Sequence, residues 1–264
     1  MASSHENLIA INGVTHAYGK DGDALPVLKN LTLGVPLHGF TAVVGPSGCG
    51  KSTLTRLIAG LMRPDEGEVW LHGERVSSPR STVGMAFQNP VLLEWRSILK
   101  NVLLPLEIVP TNLSKQEAEE RALHLLHLVG LSGFEDKRPS ELSGGMRQRA
   151  SLCRSLIHNP EVLILDEPFG ALDAFTREDL WLTMHKLRAE EPFTGVLITH
   201  DLRESIFLAD EVVVLSDRPA TVQYSVSLTH EAQPSLDELY TSEALATLNE
   251  LREQIRIARN DVEV

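Results

Sequence analysis

The sequence predicts an α/β fold with a small antiparallel β region at its N-terminus and a helical insert within the core. Three patterns predict this. Apolar runs of strand length alternate with stretches of helical periodicity, which implies a mostly parallel sheet. Strand-like runs separated by Gly, Asp and Pro crowd the N-terminal region. From about Ser97 to Gly133 only helical and loop patterns occur. The length of 264 residues, with 42% hydrophobic and 23% charged, suits an ordinary globular chain.

Taken in order, residues 8–18, 31–35 and Phe40–Val44 read as strands, the last an apolar run ending in Gly45. Leu54, Leu57, Ile58 and Leu61 then share one face of a helix. Arg63-Pro64-Asp65-Glu66-Gly67 is turn chemistry, and strands follow at residues 68–71 and Val83–Phe87. Ser114 with Glu117 forms a capping box ahead of a stripe through Ala118, Ala122, Leu125, Leu126 and Val129. Beyond Leu142 the alternation returns. A helix is expected to about His158, a strand at 162–165 and a helix at Ala174–Glu190. A strand at 196–199, a helix at 202–209 and a strand at Glu211–Leu215 complete it. The expected organisation is a single domain: an α/β core from 1–88 and 160–218, a helical insert at 89–159, and a C-terminal extension at 219–264.

Composition excludes several classes. A formal charge of −12 and a pI near 5.3 argue against a nucleic-acid surface. No stretch of about 18 apolar residues is present to span a bilayer. Residues 1–6 show no basic region followed by an apolar core, so no secretory signal is read there. Two cysteines, Cys49 and Cys153, cannot make a disulfide framework, and a cytosolic chain is expected. His124 and His127 sit three apart, but no third metal ligand accompanies them.

The strongest motif is Gly45-Pro46-Ser47-Gly48-Cys49-Gly50-Lys51-Ser52-Thr53, which fits G-x-x-x-x-G-K-[ST] between a strand and a helix. Glycines let backbone N–H groups converge on phosphate oxygens, and the helix adds its positive dipole end. Lys51 is expected to reach the β- and γ-phosphates, and Ser52 to offer a hydroxyl to Mg²⁺. A second apolar run delivers Asp166 and Glu167 at a strand's C-terminal end, where ligands of open α/β sheets bind. Asp166 suits a role in holding Mg²⁺, and Glu167 suits a general base or water-positioning group. His200 closes a further apolar strand.

Leu142-Ser143-Gly144-Gly145-Met146-Arg147-Gln148-Arg149 resembles the signature sequence of ABC ATPases. A Ser and two glycines opening a helix make an anion site, although the chain already has a phosphate cradle. The resemblance implies the P-loop NTPase core of the ABC ATPase fold, and ATP with Mg²⁺ as ligands. It also implies a head-to-tail dimer, in which Ser143, Gly144 and Gly145 close on the other subunit's ATP. By the same resemblance Tyr18 stacks on adenine, and Gln88 touches Mg²⁺ and water and links core to insert. Asp173, in Phe169-Gly170-Ala171-Leu172-Asp173, crosses the dimer interface, and His200 contacts γ-phosphate. Met146 departs from the pattern, since many relatives have Gln there.

DNA-acting and translation-factor members of that superfamily are the competing class, a nucleic-acid repair ATPase being the alternative. The compact gap between cradle and signature, the cysteine count and the acidic charge weigh against them. Residues 204–222, 87–96 and 144–149 look like those of importers for nitrate, sulfonates, taurine and related solutes. That group implies two permease subunits, an extracytoplasmic solute-binding protein, and two copies of the ATPase on the cytoplasmic face of the membrane. The solute itself is not encoded here. Gln88 to about Leu104 is expected to face the permease, with Trp95, Leu99 and Leu103 exposed on one side.

Overall fold

The computed structural model describes residues 7–19, 24–230 and 235–259. The expectation about a signal at residues 1–6 lies outside them. The chain forms two compact units, residues 1–80 with 194–264, and residues 81–193.

In the first unit, β1 (Asn7–Tyr18), β2 (Leu25–Pro36), β4 (Glu66–Leu71) and the short β5 (Glu74–Arg75) form an antiparallel sheet in the order β2-β1-β4-β5. A second set runs β10-β9-β3-β8, where β3 is Phe40–Val44, β8 Thr194–Ile198, β9 Glu211–Leu215 and β10 Val222–Ser227. Strand β3 pairs parallel with β8 and β9, and β10 joins antiparallel to β9. All five residues of β3 and of β8 are buried, which is why both are rich in Val, Leu, Ile and Phe and lack the polar alternation of a strand with one wet face. Strand β10 alternates half-buried with exposed positions, the mark of a strand with one wet face.

Helix α1 (Lys51–Ile58) buries Leu54, Leu57 and Ile58, but Leu61 is 56% exposed, contrary to the predicted stripe. The helix stops first. Gly60 adopts φ +71, and Leu61 N–H turns back to Arg56 O at 2.9 Å, closing the last turn. Helix α6 (Leu202–Leu208) follows β8, and α7 (Ser242–Ala258) closes the unit. Sequence patterning did not predict α7, which buries Leu248, Leu251 and Ala258.

In the second unit, β6 (Val83–Phe87) and β7 (Val162–Asp166) pair in parallel. The helices are α2 (Ile98–Ile108), α3 (Lys115–Leu128), α4 (Gly144–Leu156) and α5 (Ala174–Glu190). The capping box of α3 is formed, with Glu117 N–H donating to Ser114 Oγ and Ser114 N–H to Glu117 Oε2. Ala150, Cys153 and Ile157 are fully buried along one face of α4 and its cap. Leu99 and Leu103 are half-buried rather than exposed, because α2 packs on both α3 and α4. Trp95 is 73% exposed.

Candidate functional site

The loop after β3, the candidate phosphate cradle of the first unit, is built by three glycines at positive φ: Gly45 (+154), Gly48 (+77) and Gly50 (+120). Two also admit close neighbours. A Cβ on Gly45 would lie 2.9 Å from Leu215 O, and one on Gly50 would lie 2.7 Å from Val27 Cγ1. Only glycine satisfies both the dihedral and the space. Pro46, Cys49 and Gly50 are buried, whereas Ser47 and Gly48 are exposed. The Lys51 side chain, in a residue only 7% exposed, lies back across the loop, donating from Nζ to Gly45 O (3.0 Å) and Pro46 O (2.9 Å). An ammonium so placed lies over the loop's own carbonyls, at the N-terminal start of α1. Ser52 is exposed at the start of α1.

Tyr18 reaches the same helix start. Its hydroxyl shares a 3.1 Å hydrogen bond with Thr53 Oγ1, and its ring meets His16 edge-on at 5.2 Å. His16, 7% exposed, lies 3.2 Å from the Asp65 carboxylate, which also accepts from Ala17 N–H at 2.7 Å. The sequence marked Asp65 only as a turn residue; nothing in its local pattern shows that it steadies the tyrosine strand. Burial pushes the Cys49 thiol pKa up, and the nearby Lys51 charge only partly opposes this.

At the end of β8, Thr199 donates to Glu204 Oε2 (2.8 Å) and accepts from Asp201 N–H (3.0 Å), while Asp201 caps α6. These bonds fix the turn that presents His200 to solvent. His200 and Leu202 line a cavity of about 290 Å³ together with Arg252, Ile255, Arg256 and Arg259 of α7 and its end.

In the second unit, register places Phe87 beside Asp166, so Gln88 and Glu167 leave neighbouring strands at the same end. Gln88 is exposed; Asp166 and Glu167 are half-buried. Glu167 adopts φ +49. A non-glycine residue in that region costs on the order of 1–3 kcal/mol and is found preferentially at functional sites. Gln148, 2% exposed, donates from Nε2 to Phe87 O at 3.1 Å, and Arg154 donates to Val91 O, so α4 grips both ends of the segment after β6. Asn101, fully buried, accepts from Leu93 N–H and donates to the carbonyls of Leu93, Arg96 and Ser97, shaping the loop that carries Trp95. Gln148 lay within the signature and Asn101 within a helical stretch, yet neither carried a sign of its partner.

Ser143 is the N-cap of α4, accepting from Met146 N–H at 3.3 Å. Gly144 is exposed, with only Leu172 near the place of a Cβ, at 3.7 Å. Gly145 is buried, and its Cβ would lie 2.3 Å from Thr176 Cγ2. Asp173 caps α5, accepting from Thr176 N–H (3.0 Å) and Thr176 Oγ1 (2.7 Å). These bonds, the hydroxyl one first, hold its carboxyl below the usual aspartate range.

The profile described as ABC transporter matches residues 28–170. The chain belongs to the ABC transporter family. It is an ATP-binding member of the family, with the fold of an ABC ATPase and the transport-coupled ATPase activity of that class. It is 43% identical over 203 residues to the taurine import ATP-binding protein of Yersinia pestis, covering 77% of this chain and 79% of the relative. It is 41% identical over 236 residues to an aliphatic sulfonates import ATP-binding protein of Agrobacterium fabrum, covering 87% and 88%. Among solved structures, a dimeric ATP-binding cassette in a post-hydrolysis state with ADP and Pi matches with a TM-score of 0.73 and 30% identity, over 84% of this chain and 100% of that one. Among the described residues no helix is long and apolar enough to cross a membrane.

Proposed function

We propose that this chain is the ATP-hydrolysing subunit of an importer for a small organic or inorganic solute, working as a homodimer on the cytoplasmic face of the membrane. The loop at residues 45–53 carries the reading: three glycines at positive φ, a helix start and a lysine ammonium laid over the loop. In this reading residues 45–53 hold the phosphates and Lys51 exchanges its carbonyl partners for phosphate oxygens. Tyr18, already anchored at Thr53, stacks on adenine.

Ser52, Gln88 and Asp166 each offer a hard oxygen donor suited to Mg²⁺. Among the described residues no cluster of three or more His, Cys, Asp or Glu forms a metal cage. That fits a cation held chiefly by nucleotide phosphates and water. When bound, Mg²⁺ supplies charge neutralisation at the β- and γ-oxygens. Glu167 orients and activates the attacking water, its strained backbone aiming the carboxylate, and His200 stabilises charge on the transferring group. Ser143, Gly144 and Gly145 serve the other subunit's ATP, and Asp173 crosses the interface. The dimeric state of the related cassette supports this arrangement.

Exposed Phe87, Val91 and Trp95 form the apolar surface offered to a permease, and an extracytoplasmic binding protein delivers the solute. The sulfonate and taurine relatives support import of a small solute of that kind. The test is Glu167→Gln, which keeps shape and removes the basic carboxylate. MgATP binding should persist, turnover should fall at least a hundredfold, and ATP should shift the chain to a dimer on size exclusion. Near-normal turnover refutes the assignment.

A further inference from the structure

The turn between β9 and β10 is held from several sides. Ser216 N–H donates to Thr221 O (3.0 Å) and Thr221 N–H to Ser216 Oγ (3.0 Å). Ala220, fully buried, exchanges bonds with β2: its N–H reaches Val27 O (2.8 Å) and its O accepts from Lys29 N–H (3.0 Å). Asp217 N–H donates to Ala258 O at the end of α7 (3.0 Å). The same neighbours touch the phosphate loop, since Val27 and Leu28 abut Gly50 and Leu215 abuts Gly45. The turn and the loop therefore share their supports.

Arg218 sits on this turn. Its backbone N–H is taken by Asp217 Oδ1 (2.7 Å), and no acid among the described residues pairs with its guanidinium. The guanidinium lies against the phosphate loop: Nη2 is 3.7 Å and Cζ 4.0 Å from where a Cβ of Gly48 would stand, with no other atom within 4 Å of that point. An arginine on an exposed turn is usually just solvated, its charge worth little. Here the backbone is pinned on three sides and an unpaired cation is turned to an exposed loop glycine, in a chain of net charge −12. The carboxylate of Asp217, the nearest counter-charge in sequence, is engaged by the backbone.

We propose that Arg218 is a nucleotide-binding residue, a second fixed positive charge beside Lys51 that engages the phosphates of a nucleoside polyphosphate. This deepens, and rests on, the reading of residues 45–53 as the nucleotide cradle. It also gives α7 a role, since the bond from Asp217 to Ala258 fixes the turn that aims the guanidinium.

The experiment titrates MgADP and MgATP into the full chain and its variants by calorimetry at low and high NaCl. Arg218→Gln should bind both roughly tenfold more weakly at low salt, with a flatter salt dependence. Arg218→Lys should recover part of the affinity, and the melting temperature should be unchanged, because the side chain is exposed. Equal affinity and equal salt dependence in wild type and Arg218→Gln overturn the proposal while leaving the cradle reading intact. If wild type binds no nucleotide, or Lys51→Ala binds as wild type does, the cradle reading itself fails and takes this one with it.

Discussion

Gly145→Ala isolates what the second signature glycine does. The added Cβ would stand 2.3 Å from Thr176 Cγ2, against about 3.5–4.0 Å for a comfortable carbon contact. Thr176 cannot simply rotate away, because its hydroxyl donates to Asp173 at 2.7 Å and its N–H to the same carboxylate at 3.0 Å. Overpacking of this kind costs about 1–3 kcal/mol, and breaking the cap to relieve it costs about 0.5–2 kcal/mol instead. The cheaper route sets the cost, so the loss should be about 0.5–2 kcal/mol, at a fall in Tm of about 2–4 °C per kcal/mol for a chain of this size. Urea unfolding of Gly145→Ala, Thr176→Ser and the double variant measures it. Thr176→Ser deletes the offending methyl and keeps the hydroxyl, so the double variant should regain most of the lost stability, a coupling close in size to the loss itself. ATPase activity then separates two roles. Recovery along with stability makes Gly145 a packing residue, and recovery of stability alone makes it a ligand-approach residue. Gly145→Ala as stable as wild type, with no coupling to Thr176, would refute the steric argument.

Other expectations follow from the same geometry. Trp95→Ala should leave basal ATPase within twofold and weaken co-purification with the cognate permease, since the ring is 73% exposed and its loop is held by Asn101; intact assembly removes Trp95 from the dock. Asp173 has its carboxyl pKa lowered on folding, chiefly by the Thr176 hydroxyl, so its contribution is present above the unfolded value near 3.8 and lost as pH falls through the folded one. Asp173→Asn, which caps without titrating, should therefore flatten the acid limb of stability measured from pH 5 down to pH 2. An unchanged limb would show that Asp173 is not coupled to folding.

The alternation of strands and helices was legible because β3, β7 and β8 are buried along nearly their whole length and so are mostly apolar. Helix α5 and strand β9 fall where patterning put them, at Ala174–Glu190 and Glu211–Leu215. Strand β10 was not read: half-buried Val222, Tyr224 and Val226 alternate with exposed Gln223, Ser225 and Ser227, so it lacks the continuous apolar run that marks β3. Helix α7 escaped for a related reason: charged residues surround Leu248 and Leu251, and only docking on α6 and β9 shows which face is inner. The glycine-built cradle announces itself, since its backbone geometry demands one residue type. The positive φ of Glu167 has no such mark, for a glutamate is held there by context alone.

In the proposed dimer Ser143 would be both an N-cap and a ligand to the other subunit's ATP. Its hydroxyl accepts from Met146 N–H, using one lone pair, and its proton remains available to a phosphate oxygen. Capping and phosphate recognition therefore need not compete at this position. Aspartate caps as well as serine, with extended backbone here at φ −65 and ψ 165, but it has no proton to donate and carries a negative charge. Ser143→Asp should thus unfold within about 0.5 kcal/mol of wild type, bind ATP normally in its own cradle, and lose ATP-driven dimerisation and turnover. Ser143→Ala should instead lose about 1 kcal/mol of stability with the cap. The decisive assay mixes Ser143→Asp with Lys51→Ala. If each site joins one subunit's cradle to the other's signature, a mixed dimer holds one site with Lys51 and Ser143 both intact, and turnover returns. Mixing that restores neither hydrolysis nor nucleotide trapping, with both variants folded, would mean that Ser143 does not act across the dimer.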